Sequence, residues 1–84
     1  LDSRKETDMK EILETIIKNL VDEKDSVEIN ELENENGITL EVKVSEKDMG
    51  KVIGKEGKIA KAIRTIMKSV AGKERKKVTV EFVD

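Results

Sequence analysis

Lys55, Glu56 and Lys58 lie in and beside a loop bracketed by two glycines, within Val52-Ile53-Gly54-Lys55-Glu56-Gly57-Lys58-Ile59. The chemistry open to them is electrostatic: ammonium groups next to a backbone that lacks side chains at Gly54 and Gly57. A Cβ at either bracket would block the close approach of another backbone, or the backbone angles such an approach needs. A helix that starts just after the loop directs unpartnered N–H groups toward an anion. Clamping a nucleic-acid backbone requires this combination. Glu56 works against it: its carboxylate lowers phosphate affinity, or pairs with a neighbouring lysine and orients it.

Other chemistries are closed to this chain. It has no Cys and no His, so disulfides, thiolate or imidazole metal sites and His-based triads are excluded. Ser3, Ser26, Ser45 and Ser69 have no imidazole to activate them. The Gly50-to-Gly54 spacing fails as a nucleotide-binding loop, and neither Ser nor Thr follows Lys55. No catalytic residue, metal or cofactor is expected. No apolar run approaches the ~20 residues of a membrane span, and no signal peptide opens the chain. A cytoplasmic protein without a membrane partner is the expectation.

Charge is distributed unevenly along the 84 residues. Residues 1–46 carry a net charge of −8 and residues 47–77 a net charge of +8, although the whole chain is only −2. The basic half contains the glycine loop, which favours a polyanionic partner over a merely solvated surface. The absence of Trp and Tyr, with one Phe, argues against readers that stack bases on exposed rings.

The elements that position the loop follow from periodicity. Residues 1–8 show no apolar period and are expected to be a flexible extension or cloning remnant, leaving 9–84 as one domain. Met9, Ile12, Leu13, Ile16, Ile17, Leu20 and Val21 form a helical stripe, with Asp8 and Glu11 at its start. Val27 and Ile29 alternate with polar residues, and Leu32 joins them only as a near neighbour in register. Ile38, Leu40, Val42 and Val44 alternate cleanly. Asn36-Gly37 between the two runs is a strong signal for a hairpin turn, because both residues tolerate positive φ. Ser45, with Asp48 three residues on, is placed to cap a short helix bearing Met49, Val52 and Ile53, which Gly54 ends. A second helix from Gly57 or Lys58 buries Ile59, Ala62, Ile63, Ile66, Met67 and Val70, with Gly72 as its stop. After the charged connector 73–77, Val78, Val80 and Phe82 alternate as a last strand, with Phe82 in the core. The predicted fold is α+β, in the order α-β-β-α-α-β. It has a three-stranded mixed sheet centred on 38–44, with three helices on one face.

This order, with the glycine loop and Ala60-Lys61-Ala62-Ile63-Arg64 after it, resembles a KH domain of the type II arrangement. With Met9-Lys10-Glu11-Ile12-Leu13-Glu14 it is similar to the small bacterial single-KH proteins of the KhpA family. The resemblance covers residues 9–83. It implies a non-catalytic protein that holds about four nucleotides of single-stranded RNA, an RNA chaperone or post-transcriptional regulator. By position, Gly54 and Gly57 would allow close approach, and Lys55 and Lys58 would face phosphates. Val52, Ile53 and Ile59 would line the rim of an aliphatic groove. Lys61 and Arg64 would extend the positive side, and Arg75, Lys76 and Lys77 would lie at its far end. The alternative is an adaptor of KH shape, pairing with its own copy or with another KH-containing RNA-binding protein.

Overall fold

The computed structural model describes residues 8–73 and 75–83. Of the flexible extension expected over residues 1–8, residues 1–7 lie outside them. Helix α1 (Met9–Lys18) begins where the Asp8 carboxylate accepts the backbone N–H groups of Lys10 at 3.0 Å and Glu11 at 3.3 Å. It ends before its apolar stripe does. Asn19 Nδ2 donates to the Thr15 carbonyl at 2.7 Å and the chain turns, yet Val21 is still folded back into the core.

Among the described residues, three strands form one sheet in the order β1 (Glu28–Asn34), β2 (Gly37–Lys43), β3 (Val78–Val83). β1 runs antiparallel to β2, and β2 parallel to β3, as the order of elements predicted. Ile29 lies opposite Val42, Leu40 beside Val80 and Val42 beside Phe82, so these side chains share the inner face. Leu32 has the other parity. It pairs with Thr39 on the outer face and is 49% exposed.

The expected hairpin is present, with its turn centred one residue before the Asn36-Gly37 pair. Asn34 pairs with Gly37, which leaves Glu35-Asn36 as the two turn residues. Asn36 is not at positive φ; its N–H donates to the Asn34 side-chain oxygen at 2.8 Å. A side chain two residues back thus shapes the turn instead of a left-handed backbone.

Helices α2 (Met49–Ile53) and α3 (Lys58–Lys73) form the crossover between the parallel strands. Leu13 and Ile17 of α1, Leu40 and Val42 of β2, Val52 of α2 and Met67 of α3 are fully buried together. The buried stripe of α3 is Ala60, Ile63, Met67 and Ala71; Ala62 and Ile66, expected inside, are exposed. Gly72 does not stop the helix. Arg75 adopts φ 57° and donates its N–H to Gly72 O at 3.1 Å, while Lys76 N–H reaches back to Ala71 O at 2.9 Å. That pair of bonds is a Schellman ending with a non-glycine residue in the left-handed position.

Candidate nucleic-acid interface

α2 ends at Gly54, whose backbone (φ 78°, ψ 172°) lies in a region essentially restricted to glycine. Its N–H donates to Gly50 O at 2.9 Å, and Gly57 N–H donates to Gly54 O at 3.1 Å, closing a single tight turn. Glu56 is left-handed at φ 57° and Gly57 at φ 72°. The two glycines serve different ends. A Cβ on Gly54 would lie 2.6 Å from Ile59 Cγ1 and 2.9 Å from Ile59 N, so its bareness accommodates the first turn of α3. A Cβ on Gly57 would meet nothing within 4 Å. Gly57, not Gly54, is the bracket open to an incoming backbone.

Lys55, Glu56 and Lys58 are exposed around this turn. Lys58 Nζ lies 3.9 Å from Glu56 Oε1, with both side chains about three-quarters exposed at 77% and 75%. A pair this loose and wet contributes under about 1 kcal/mol, so a phosphate can displace the carboxylate. Lys61 and Lys68 continue the positive side along α3 and make no ion pair among the described residues. α3 is about 24 Å long at ~1.5 Å per residue.

A cleft of about 390 Å³ runs between α3 and the free edge of β3, lined by Lys61, Arg64, Thr65, Lys68, Val78, Thr79 and Val80. Three of its cationic side chains sit on one helix face. Lys68 was missed from the sequence, although its spacing of seven from Lys61 puts it on the same face. The β3 wall was also missed; only the parallel pairing brings it beside α3. Arg64 is where the sequence placed it, but its guanidinium is engaged. Nε donates to Val80 O at 3.1 Å, and Cζ lies 5.5 Å from the Phe82 ring centroid. Phe82 is half-buried against the core.

The aliphatic rim needs a correction. Val52 is fully buried and does not reach the surface; helical phase turns it into the core cluster to which Leu13 and Met67 also belong. Ile53 and Ile59 remain half-buried and reach the surface. Arg75, Lys76 and Lys77 are not brought to the loop. They lie beyond the other end of α3, and share a cleft of about 430 Å³ with the hairpin residues Glu33 and Glu35. Acidic neighbours there weaken the field they could offer a polyanion.

The base of α2 is held by a buried carboxylate. Asp48 accepts the backbone N–H groups of Glu23 at 2.9 Å and Asp22 at 3.2 Å and the Ser45 hydroxyl at 3.1 Å; Lys51 Nζ lies 3.3 Å away. Ser45 therefore does not cap the helix backbone as expected; its hydroxyl goes to Asp48. Lys51 also pairs with Asp22, which raises the pKa of its ammonium group. Lys47 pairs with Glu23 at 3.3 Å. This cluster fastens the segment after α1 to the helix that carries the loop. The Glu23 N–H above all, opposed by burial and assisted by Asp22, Ser45 and Lys51, holds the Asp48 carboxyl at about 2, down from 3.8. A lowered folded-state pKa contributes stability above the unfolded value that is lost as pH falls through the folded one. Melting temperature is therefore expected to drop between pH ~4 and ~2. Asp48→Asn should be less stable at pH 7 and lose part of that acid slope. A variant with the wild-type slope in pH-resolved thermal melts would show that Asp48 does not carry it.

Among the described residues, no helix is long and apolar enough to cross a membrane. A family model described as KhpA/KhpB, KH domain, matches residues 10–82. The chain is 59% identical over 75 residues to the RNA-binding protein KhpA of Clostridium perfringens, covering 89% of this chain and 100% of that protein. It is 57% identical to the RNA-binding protein KhpA of Clostridium acetobutylicum and 53% identical to that of Caldanaerobacter subterraneus, each over 75 residues with the same coverage. No solved structure gave a significant match.

Proposed function

Since the chain belongs to the KhpA/KhpB KH-domain family, a family of binding modules and not of enzymes, we propose that it binds single-stranded RNA through the Gly54–Gly57 turn and the α3–β3 cleft. The observation that carries this reading is the open side of Gly57, flanked by Lys55 and Lys58 at the head of a lysine-bearing helix. Phosphates would lie across the turn, between the Lys55 and Lys58 ammonium groups. Bases would pass Ile53 and Ile59 beside the turn and enter the cleft, between α3 and the β3 edge. Backbone contacts position the strand and leave sequence choice to the cleft. The same reading makes the chain a cytoplasmic RNA chaperone or post-transcriptional regulator.

Titration of a short labelled RNA at several salt concentrations tests it. Each phosphate neutralised adds about −0.7 to the slope of log affinity against log salt. Glu56→Lys removes the anion in the turn and adds a cation. It is expected to tighten binding by about three- to tenfold at low salt, and to steepen the slope by about 0.7 for one new phosphate contact. Unchanged or weaker binding would count against the turn as the phosphate contact.

A second reading, an adaptor pairing with its own copy or another KH-containing protein, draws support from Ile66, 45% exposed on α3 beside exposed Ala62. Light scattering with and without RNA distinguishes a paired form from a monomeric reader.

A further inference from the structure

Arg64 is the one cation of the cleft whose side chain the protein itself fixes. Its Nε–H is spent on the Val80 carbonyl of the edge strand, and its Cζ lies over the Phe82 ring. Its Nη groups make no hydrogen bond or ion pair among the described residues, and the residue remains exposed. Lys61 and Lys68 in the same cleft have no such restraint. A guanidinium already held by two contacts gives up little freedom when a flat ligand settles on its plane. Nucleobases stack on flat partners, aromatic rings or guanidinium planes. The chain has no Trp or Tyr, and its single Phe is half-buried beneath Arg64.

We infer that Arg64 is a base platform: its guanidinium, held by Val80 O and backed by Phe82, supplies the flat surface on which one nucleobase stacks in the α3–β3 cleft. This rests on the RNA-binding reading above and assigns Arg64 a role other than its expected extension of the positive side. Phe82 is then a positioning residue. It touches no RNA but keeps the plane in place.

A short single-stranded RNA carrying 2-aminopurine, titrated at several salt concentrations, tests the assignment. Arg64→Lys keeps the charge and removes the plane. It is expected to weaken binding about tenfold at every salt concentration, leave the salt slope unchanged, and abolish the change in 2-aminopurine fluorescence that moving the base from its neighbours onto Arg64 produces on binding. Phe82→Leu should lose part of the same fluorescence change, again with no change of slope. Thermal melts of both variants confirm that they are folded, and Arg64→Ala provides an independent check on the slope. Wild-type affinity and a wild-type fluorescence change in Arg64→Lys would overturn the platform. So would an Arg64→Ala slope reduced by about 0.7, the mark of a lost phosphate contact. Wild-type protein that bound no RNA at any salt would overturn the RNA-binding reading itself, and the platform with it.

Discussion

Gly57→Asp is expected to weaken single-stranded RNA binding tenfold or more while the domain stays folded. The site is sterically open, with nothing within 4 Å of a Cβ there. The backbone is at φ 72°, a conformation that Asp tolerates better than most residues at a cost of roughly 1 kcal/mol. The new carboxylate would stand where the phosphate is proposed to lie, between Lys55 and Lys58. Two unit charges about 4 Å apart repel by roughly 1 kcal/mol in bulk water and about 4 kcal/mol near a protein surface, which brackets a tenfold loss. Gly57→Ala adds bulk without charge and should fall between the variant and the wild type. Circular dichroism and RNA titration together decide the matter. A folded Gly57→Asp that binds normally would move the phosphate contact elsewhere.

Gly54→Ala is expected to damage the fold instead. Its φ of 78° and ψ of 172° cost an L-residue about 1–3 kcal/mol. The added Cβ would lie 2.6 Å from Ile59 Cγ1 and 2.9 Å from Ile59 N, and the backbone nitrogen cannot swing aside as a side-chain end can. Overpacking of this kind adds about 1–3 kcal/mol. The sum, about 2–6 kcal/mol, is a large part of the 5–15 kcal/mol that holds a domain together. At about 4–8 °C per kcal/mol for a domain of this size, the melting temperature should fall by about 8 °C or more. A Gly54→Ala protein that melted within about 2 °C of wild type would show that Ile59 yields easily. A double substitution at 54 and 57 would mix this folding defect with the binding defect, so single variants are the informative ones.

Where the sequence was legible, short-range pattern sufficed. The alternation of 38–44, the helical stripe of α1 and the crossover between the last two strands led to the sheet order now seen. The two-glycine turn was visible as a unit, but not the division of labour within it. That division depends on which way the α-hydrogen of Gly54 points relative to Ile59, and spacing does not encode direction. Val52 and Ile53 were indistinguishable because five residues of α2 give too little helical phase to separate an inner from an outer side chain. Asp48 looked like a local partner of Ser45, yet its main donors, Glu23 and Asp22, lie 25 and 26 residues away. Arg75 occupies a left-handed position that glycine statistics assigned to Gly72. The Lys76–Ala71 bond fixes the helix end there, and no residue-type preference announces it. Lys68 and the β3 wall are gathered to Lys61 and Arg64 by the parallel pairing of β2 with β3.

That parallel pairing also sets an order in time. The glycine turn and the lysines of α3 leave the ribosome before β3 does, because β3 follows them in the chain. A growing chain therefore displays cations next to ribosomal RNA while the opposite wall of its cleft has yet to be synthesised. On the proposed reading, discrimination between one base and another would begin only when β3 docks along β2, which would make the nascent protein adhesive before it is selective.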